Sequence, residues 1–187
     1  MANIVYFDLE TQRSFNDVGG SSHLAKMGVS VACSYSTATG KYDLYGEDDL
    51  DRLVDLLRKA DQVVGYNHLF FDYGVLEGYT VLDLEAQTVN LDMMIDLHGH
   101  TGRRIGLDKV ASATLGTGKT AVGTDALKWW QQYKNSGDSE VLMKIAEYCA
   151  YDVKVTKCVH EYGVEHGHIK YTDGPGEQIV PVQWKAA

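Results

Sequence analysis

The first predicted strand spans residues 3–10 and carries the sequence Asn3-Ile4-Val5-Tyr6-Phe7-Asp8-Leu9-Glu10. An apolar run of this length, closed by two acids, is typical of a buried strand that ends at the edge of a sheet. Side chains alternate between the two faces of a strand, so Asp8 and Glu10 share the face of Ile4 and Tyr6. We therefore predict two neighbouring carboxylates at the end of this strand, although a D-x-E pair alone also suits a solvated strand end.

The rest of the chain is predicted to form four more strands and several helices. The strands are residues 29–36, 41–45, 62–66 and 91–97, and the helices are residues 47–60, 69–78, 107–115, 124–133 and 139–166. Three strands followed by alternating helices and strands favour an α/β fold, a five-stranded mixed sheet flanked by helices. Ligands of such sheets bind at the carboxyl ends of the parallel strands, where Asp8 and Glu10 are expected.

Length and charge limit the possible functions. The 187 residues predict one domain over residues 1–187, with a core at about residues 3–166 and an extended tail at residues 172–187. The 17 basic and 26 acidic residues give a net charge of −9. A protein that coats a polyphosphate needs Lys and Arg, so any role with nucleic acid is expected to be local: a groove, a chain end or a metal site.

Composition also predicts where the protein works. No stretch approaches the ~20 apolar residues of a membrane span, and the N-terminus lacks the basic and apolar regions of a secretory signal. The three cysteines are an odd number without a C-x-x-C pair, which argues against a disulfide framework. These features favour a cytoplasmic protein.

The long C-terminal helix places an acid on an apolar face. Its core-facing positions follow helical spacing and are Val141, Ile145, Tyr148, Asp152, Val155 and Val159. Tyr148 and Asp152 lie one turn apart on this face. A buried Asp is either paired with a cation or bound to a metal; a buried Tyr–Asp hydrogen bond is the structural alternative.

A third segment reads Gly65-Tyr66-Asn67-His68-Leu69-Phe70-Phe71-Asp72. Asn67 is interpreted as a helix N-cap, which puts Asp72 in the second turn beside aromatic residues. Taken alone, this segment favours a structural role. Asp8, Glu10, Asp72 and Asp152 at one end of a sheet would repel one another without cations. Oxygen ligands without a Cys or His cluster select Mg²⁺ or Mn²⁺, and two such ions are suited to cleaving a phosphodiester.

Three segments in this order resemble the exonuclease motifs of the DEDD superfamily: Phe7-Asp8-Leu9-Glu10-Thr11, Asn67-x-x-x-Phe71-Asp72 and Tyr148-x-x-x-Asp152. The superfamily comprises 3′–5′ exonucleases with a ribonuclease H-like fold. A third motif that begins with Tyr resembles that of its DEDDy branch. The similarity covers about residues 3–160. Residues 106–110 and 115–120 also resemble a segment of a ribonuclease H-like exonuclease subfamily.

The resemblance implies a role for each motif residue. Asp8 would bridge two metal ions, Glu10 and Asp152 would complete the shell of the first, and Asp72 would hold the second through water. Tyr148 would orient the attacking water. These five residues form the predicted catalytic set, and all but Tyr148 form the predicted metal set.

The predicted substrate-binding set is Leu9, Thr11, Asn67, Phe71 and Lys119. The resemblance implies contacts of Leu9 and Thr11 with the terminal nucleotide, and Lys119 lies in a Gly-containing loop that is expected to reach the substrate backbone. Asp96 is a candidate to support the metal site from behind. The basic run Arg103, Arg104, Lys109, Lys119 and Lys128 either steers a strand to the site or forms a solvated face.

The sequence thus predicts an exonuclease dependent on two Mg²⁺ or Mn²⁺ ions. It would remove nucleoside 5′-monophosphates from the 3′ end of a single strand, with DNA favoured over RNA. The alternatives are a non-catalytic interaction module on the same fold and a metal-dependent endonuclease or phosphatase. The sequence does not indicate the oligomeric state, the processivity, a polymerase or helicase partner, or the biological pathway.

Overall fold

A computed structural model describes residues 2–116, 123–173 and 176–185. Its main sheet has the strand order β3-β2-β1-β4-β5. These strands are β1 (Ile4–Thr11), β2 (Val29–Ser36), β3 (Lys41–Tyr45), β4 (Gln62–Gly65) and β5 (Asn90–Asp92). β1 pairs antiparallel with β2 and parallel with β4, and β5 continues the parallel half. The predicted five-stranded mixed sheet is confirmed, with β1 at its centre.

Eight helices lie within the described residues, and two short 3₁₀ helices (Ser21–Lys26 and Glu47–Asp49) accompany them. They are α1 (Phe15–Val18), α2 (Leu50–Lys59), α3 (Asp72–Leu76), α4 (Leu84–Gln87), α5 (Met93–Thr101), α6 (Leu107–Leu115), α7 (Gly123–Ser136) and α8 (Ser139–His166). The helix predicted at residues 47–60 is divided here between a 3₁₀ turn and α2. None of the helices in the described ranges is long and apolar enough to cross a lipid bilayer.

The alternation of β1 separates two hydrophobic cores. Ile4 and Tyr6 pack on one face among residues of α8, whereas Val5, Phe7 and Leu9 pack on the other among residues of α2 and α3. The acids that end β1 share the face of Ile4 and Tyr6, as the period-two pattern predicted. Because α8 packs across β1 and β2, its inward face lies over this end of the sheet.

Two predicted elements around the acids are wrong in extent. The apolar run 91–97 is a strand only to Asp92; from Met93 it is α5, because the Asp92 carboxylate accepts the N–H groups of Met94 and Ile95 and caps a helix. The helix predicted at residues 69–78 is helical only over Asp72–Leu76. Asn67 is not its N-cap: Asn67 is left-handed, with φ of 67°. Asp72 is therefore the first residue of α3 rather than part of a second turn.

The described C-terminal residues form two paired strands. β6 (His168–Asp173) and β7 (Gly176–Pro181) form an antiparallel hairpin. Val180, Val182 and Trp184 join the core beside α8. The Trp184 Nε1–H donates to Asp96 Oδ2 at 2.8 Å. Asp96 therefore anchors the tail, which corrects its predicted role behind the metal site.

Candidate active site

Three carboxylates converge where the central strand ends. Asp8 and Glu10 come from β1, and Asp152 comes from α8, which crosses above it. One oxygen atom of each lies within 4.8 Å of the others. Hard oxygen donors at this spacing fit a divalent ion such as Mg²⁺ or Mn²⁺. Within the described ranges, no other group of three or more acidic, His or Cys side chains is arranged to hold a metal.

Asp72 approaches the same place from α3. Its side chain is only 3% exposed, and its Oδ1 accepts the Leu9 N–H at 3.2 Å. It lies outside the three-carboxylate group but lines the same cavity. The structure therefore brings the four predicted acids together at one end of the sheet, with Asp72 set apart from the other three.

Burial and mutual repulsion make these acids hold their protons. Burial first, and then Asp72, Asp152 and Glu10, raise the pKa of Asp8 well above its ordinary value. The pKa of Glu10 is raised well above its ordinary value by burial and by Asp152 and Asp72. Burial raises the pKa of Asp72 to about 8, against the opposing Leu9 hydrogen bond. Without cations, burial and mutual repulsion therefore favour the protonated forms of Asp8, Glu10 and Asp72.

Tyr148 stands beside the acids on α8. Burial, the charges of Asp152 and Glu10 and a hydrogen bond to Asp152 raise its pKa above the ordinary value. The phenol is thus a protonated hydrogen-bond donor at neutral pH. Its ring meets Trp129 of α7 edge-on, with 6.2 Å between ring centroids, which fixes its orientation. The Tyr–Asp hydrogen bond that was the structural alternative is present, and Asp152 also belongs to the acid group.

A buried thiol supports Asp8 from behind. The Cys149 Sγ–H donates to the Asp8 backbone carbonyl at 3.3 Å and lies 3.8 Å from Asp8 Oδ2. Burial and the nearby acids raise the pKa of this thiol, so it stays protonated. Sequence analysis did not assign Cys149 a role, although it lies next to Tyr148 in the third motif.

Asp92 holds the segment that carries Asp72. It is 5% exposed, and its oxygens accept the N–H groups of Asn67 at 2.8 Å and of Leu69 at 3.1 Å. The same carboxylate caps α5. Sequence analysis gave Asp92 no role and left it inside the strand predicted at residues 91–97; an Asp that ends a strand before an apolar run is the N-cap signal that could have found it.

The acids line a cavity of about 360 Å³. Its lining also includes four apolar or aromatic residues that sequence analysis missed: Phe15, Met27, Tyr66 and Leu127. Phe15 opens α1 after the Ser14–Asp17 capping box, a recognisable helix start. Its ring lies 5.7 Å from that of Phe71. Leu127 carried no local signal, because the packing of α7 against α8 and β1 decides which of its residues reach the cavity.

The predicted substrate-binding residues are divided by the structure. Leu9, Thr11 and Phe71 line the cavity with the acids. Asn67 lines a neighbouring groove instead, where its Oδ1 accepts a hydrogen bond from Arg104 at 2.7 Å. Lys119 lies outside the described residues.

The predicted basic run does not form one surface. Arg103 is ion-paired with Asp173, and Lys128 with Asp125 at 2.9 Å. Arg104 makes no ion pair within the described ranges and lies over the Phe70 ring, 5.6 Å from its centroid. Arg104 therefore lines a groove, whereas Arg103 and Lys128 are ion-paired.

A mixed five-stranded sheet with clustered acids at the end of its central strand defines the class of protein, an α/β protein with a ribonuclease H-like fold. The chain belongs to the RNase H superfamily, since the RNase_H_2 family model, described as RNase_H superfamily, matches residues 5–163. This match confirms the predicted fold.

A solved structure supports the same fold. The family B DNA polymerase from the hyperthermophilic archaeon Pyrobaculum calidifontis is similar over 87% of this chain, with a TM-score of 0.62 and 18% sequence identity. The similar region is 24% of the polymerase, so this chain spans about a quarter of its length. At this identity the likeness is one of fold. No curated protein sequence gives a significant match to the chain.

Proposed function

We propose that this protein is a 3′–5′ exonuclease of the DEDDy branch that shortens single-stranded nucleic acid with two divalent metal ions. It would release nucleoside 5′-monophosphates, from DNA in preference to RNA. The observation that carries the proposal is the convergence of Asp8, Glu10 and Asp152 within 4.8 Å in a cavity that also contains Asp72 and Tyr148. Their order along the chain matches that of the DEDDy motifs.

The carboxylates suit two metal positions. Asp8, Glu10 and Asp152 would hold one ion, and Asp8 with Asp72 the other. Bound there, Mg²⁺ or Mn²⁺ ions supply a hydroxide-like water and neutralise the charge of the phosphate. The raised pKa values of the acids supply the reason for binding, because cations relieve the repulsion that keeps protons on the cluster. The ions also offset, locally, the −9 charge of the chain.

Protein groups would position the reactants. The Tyr148 phenol, protonated and fixed by Trp129, orients water through its oxygen rather than removing a proton. The apolar lining residues Phe15, Phe71 and Leu127 suit a nucleobase, and the acids would meet the phosphate through the metal ions. A cavity of about 360 Å³ suits one terminal nucleotide.

The packing of the C-terminal hairpin supports a single domain, and the free cysteines support a reducing compartment. The β6–β7 hairpin packs against α6 and α8, which joins the tail to the nuclease fold. We propose that residues 1–187 act as a single exonuclease domain. Cys33, Cys149 and Cys158 are all free, which supports a cytoplasmic protein.

The test follows digestion of a single-stranded oligonucleotide labelled at its 5′ end, with Mg²⁺, with Mn²⁺ and with EDTA. We expect a ladder shortened from the 3′ end, none in EDTA, and a loss of about 10³-fold or more in Asp8→Asn and Asp152→Asn, which remove metal ligands. Glu85→Gln is the matched control. Glu85 belongs to a second D-x-E sequence, Asp83-Leu84-Glu85, but is exposed and distant from the site in the chain.

Other results would select the alternatives. Cleavage of a closed single-stranded circle would indicate an endonuclease. Hydrolysis of simple phosphate monoesters alone would indicate a phosphatase. If the wild type and both Asn variants are equally inactive while the wild type binds oligonucleotide, the fold serves as an interaction module. Parallel DNA and RNA substrates decide the sugar preference.

A further inference from the structure

A second groove lies beside the catalytic cavity and shares a wall with it. The groove has a volume of about 280 Å³ and is lined by Asn67, Phe70, Met94, Ile95, His98 and Arg104. Residues 66–71 separate the two spaces: Tyr66 and Phe71 line the catalytic cavity, whereas their chain neighbours Asn67 and Phe70 line the groove. The groove and the cavity are therefore lined by adjacent residues of one short segment.

The groove exposes unusual apolar surface for a chain this acidic. Phe70 is 44% exposed and Ile95 is 48% exposed, and they lie on different elements that face the same space. Large exposed apolar side chains that line one concavity indicate a ligand more strongly than the same residues scattered singly. A flat ring beside aliphatic side chains is suited to stacking a nucleobase.

The charge of the groove lining favours a nucleic acid over an uncharged apolar ligand. Arg104 stands over the Phe70 ring at 5.6 Å, and the groove lining contains no carboxylate. One guanidinium nitrogen donates to Asn67, and the guanidinium has five N–H donors in all, which suits phosphate oxygens. The large pocket elsewhere in the described residues, about 430 Å³, is instead lined by Glu77, Asp83 and Glu85 and would repel phosphate.

Hydrogen bonds hold the segment that forms one side of the groove. Asn67 holds a left-handed backbone conformation, with φ of 67°, and its N–H is bound by the buried carboxylate of Asp92. Its side chain in turn holds Arg104. Ring, guanidinium and amide are thus arranged in advance, which lowers the entropy lost on binding.

We propose that this groove binds a nucleotide of the uncleaved strand, upstream of the terminal nucleotide, with its base against Phe70 and its phosphate at Arg104. This site rests on the proposed function and extends it, because it makes hydrolysis depend on substrate length. Neither Phe70 nor Arg104 touches the catalytic cavity, so their effect is expected on longer strands only. Stacking without base-edge contacts would be tolerant of sequence.

Two measurements test the groove on the full-length protein. The first is the Kd of a 5′-fluorescein hexathymidylate in EDTA, by fluorescence anisotropy. The second is kcat/KM for hexathymidylate divided by kcat/KM for the dinucleotide, in Mg²⁺ or Mn²⁺. We expect Phe70→Ala and Arg104→Ala to raise the Kd about tenfold and to lower the length ratio by a similar factor. Phe70→Tyr, which keeps the ring, should retain both values within about twofold.

Matched controls remove an exposed aromatic residue and an exposed arginine elsewhere. Tyr42→Ala on β3 and Arg52→Ala on α2 should leave the Kd and the length ratio unchanged. Because Phe70 and Arg104 are exposed, their variants are expected to fold, and circular dichroism melts check this. If Phe70→Ala is unfolded, the Arg104→Ala and Phe70→Tyr results decide.

The failures are distinguishable. A wild type that hydrolyses oligonucleotides but shows an unchanged Kd in Phe70→Ala and Arg104→Ala overturns the groove and keeps the exonuclease. A wild type that binds through Phe70 but hydrolyses nothing keeps the groove and overturns the exonuclease. Failure to bind hexathymidylate overturns the groove. A dimer that Phe70→Ala dissociates, with Kd unchanged, would assign the groove to a second copy of the chain and also overturn the proposal.

Discussion

At the scale of single residues, the site depends on which groups keep their protons. Burial and neighbouring carboxylates raise the pKa values of Asp8 and Glu10. Burial first, and then the same carboxylates, also raise the pKa values of Cys149 and Tyr148. A phenol in this environment cannot serve as a base near neutral pH. Its contribution is to direct a hydrogen bond.

The substitution Tyr148→Phe tests this role. We expect kcat for oligonucleotide hydrolysis to fall about 10- to 100-fold, with KM within about twofold, because the ring still packs and only a positioning hydrogen bond is lost. The shape of the pH–rate profile should be unchanged. Loss, in Tyr148→Phe, of a rise in rate towards alkaline pH would show instead that the ionised phenol acts as a base. Tyr133→Phe, on α7, is the control.

At the scale of elements, one carboxylate joins β5, α5 and the segment before α3. Asp92 accepts N–H groups from Asn67 and Leu69 on one side and caps α5 on the other. The left-handed turn at Asn67 follows from this arrangement. Asp72 is the first residue of α3 and follows this turn by five residues. Its position therefore depends on the turn more than on the short helix α3.

Replacing Asp92 should therefore damage both stability and catalysis. Asp92→Ala removes a helix cap and leaves two backbone N–H groups without an acceptor, so we expect a loss of about 3–5 kcal/mol in the free energy of unfolding. Asp92→Asn keeps one acceptor and should cost less. Urea denaturation measures both changes, and kcat should fall in the folded fraction because Asp72 is displaced.

Asp83→Ala is the matched control for this effect. Asp83 caps α4 by accepting the Ala86 N–H at 3.0 Å, but it is exposed and holds no second segment. Its loss should cost about 1 kcal/mol. A cost for Asp92→Ala no greater than that would contradict the joining role.

At the scale of the whole molecule, the clustered acids make the free energy of unfolding depend on pH. The free energy of unfolding falls with rising pH wherever the native state binds more protons than the unfolded state. Asp72, with a folded pKa of about 8, and Asp8 and Glu10, whose folded pKa values are also raised, act in this direction. The buried His68 and His160 have lowered pKa values and act in the opposite direction, but only below about pH 6.5, where unfolded His binds protons.

We therefore expect the metal-free protein to lose stability between about pH 6.5 and pH 8. The loss should be about 1 kcal/mol per pH unit for each acid that is protonated in the native state and ionised in the unfolded state. Mg²⁺ should raise the melting temperature most at the upper end of this range, since it binds the ionised cluster. Thermal melts at several pH values, with EDTA and with Mg²⁺, measure the slope.

The variants Asp72→Asn and Asp8→Asn should flatten that slope, while Asp43→Asn, an exposed residue of β3, should not. A metal-free protein whose stability is flat or rises over this interval, or whose melting temperature ignores both Mg²⁺ and EDTA, would contradict the charge repulsion on which the metal site depends.

Local patterns were enough for strands β1 to β4 and for much of the site. Period-two alternation in residues 3–10 predicted that Asp8 and Glu10 share a face, and helical spacing predicted that Asp152 and Tyr148 face the core. These predictions depend only on repeat geometry within one element. The bounds of β2, β3, α6 and α8 agree with the sequence prediction for the same reason.

What the residues determined by themselves was therefore the identity of the acids and the face each one occupies. Only the tertiary structure decided that three of these acids lie within 4.8 Å of one another, that Asp92 rather than Asp96 supports the turn before Asp72, and that the tail folds back as a hairpin. It also decided that Asn67 and Arg104 form a groove of their own. Such contacts join residues far apart in the chain, and no repeat within a single helix or strand encodes the distance between two elements.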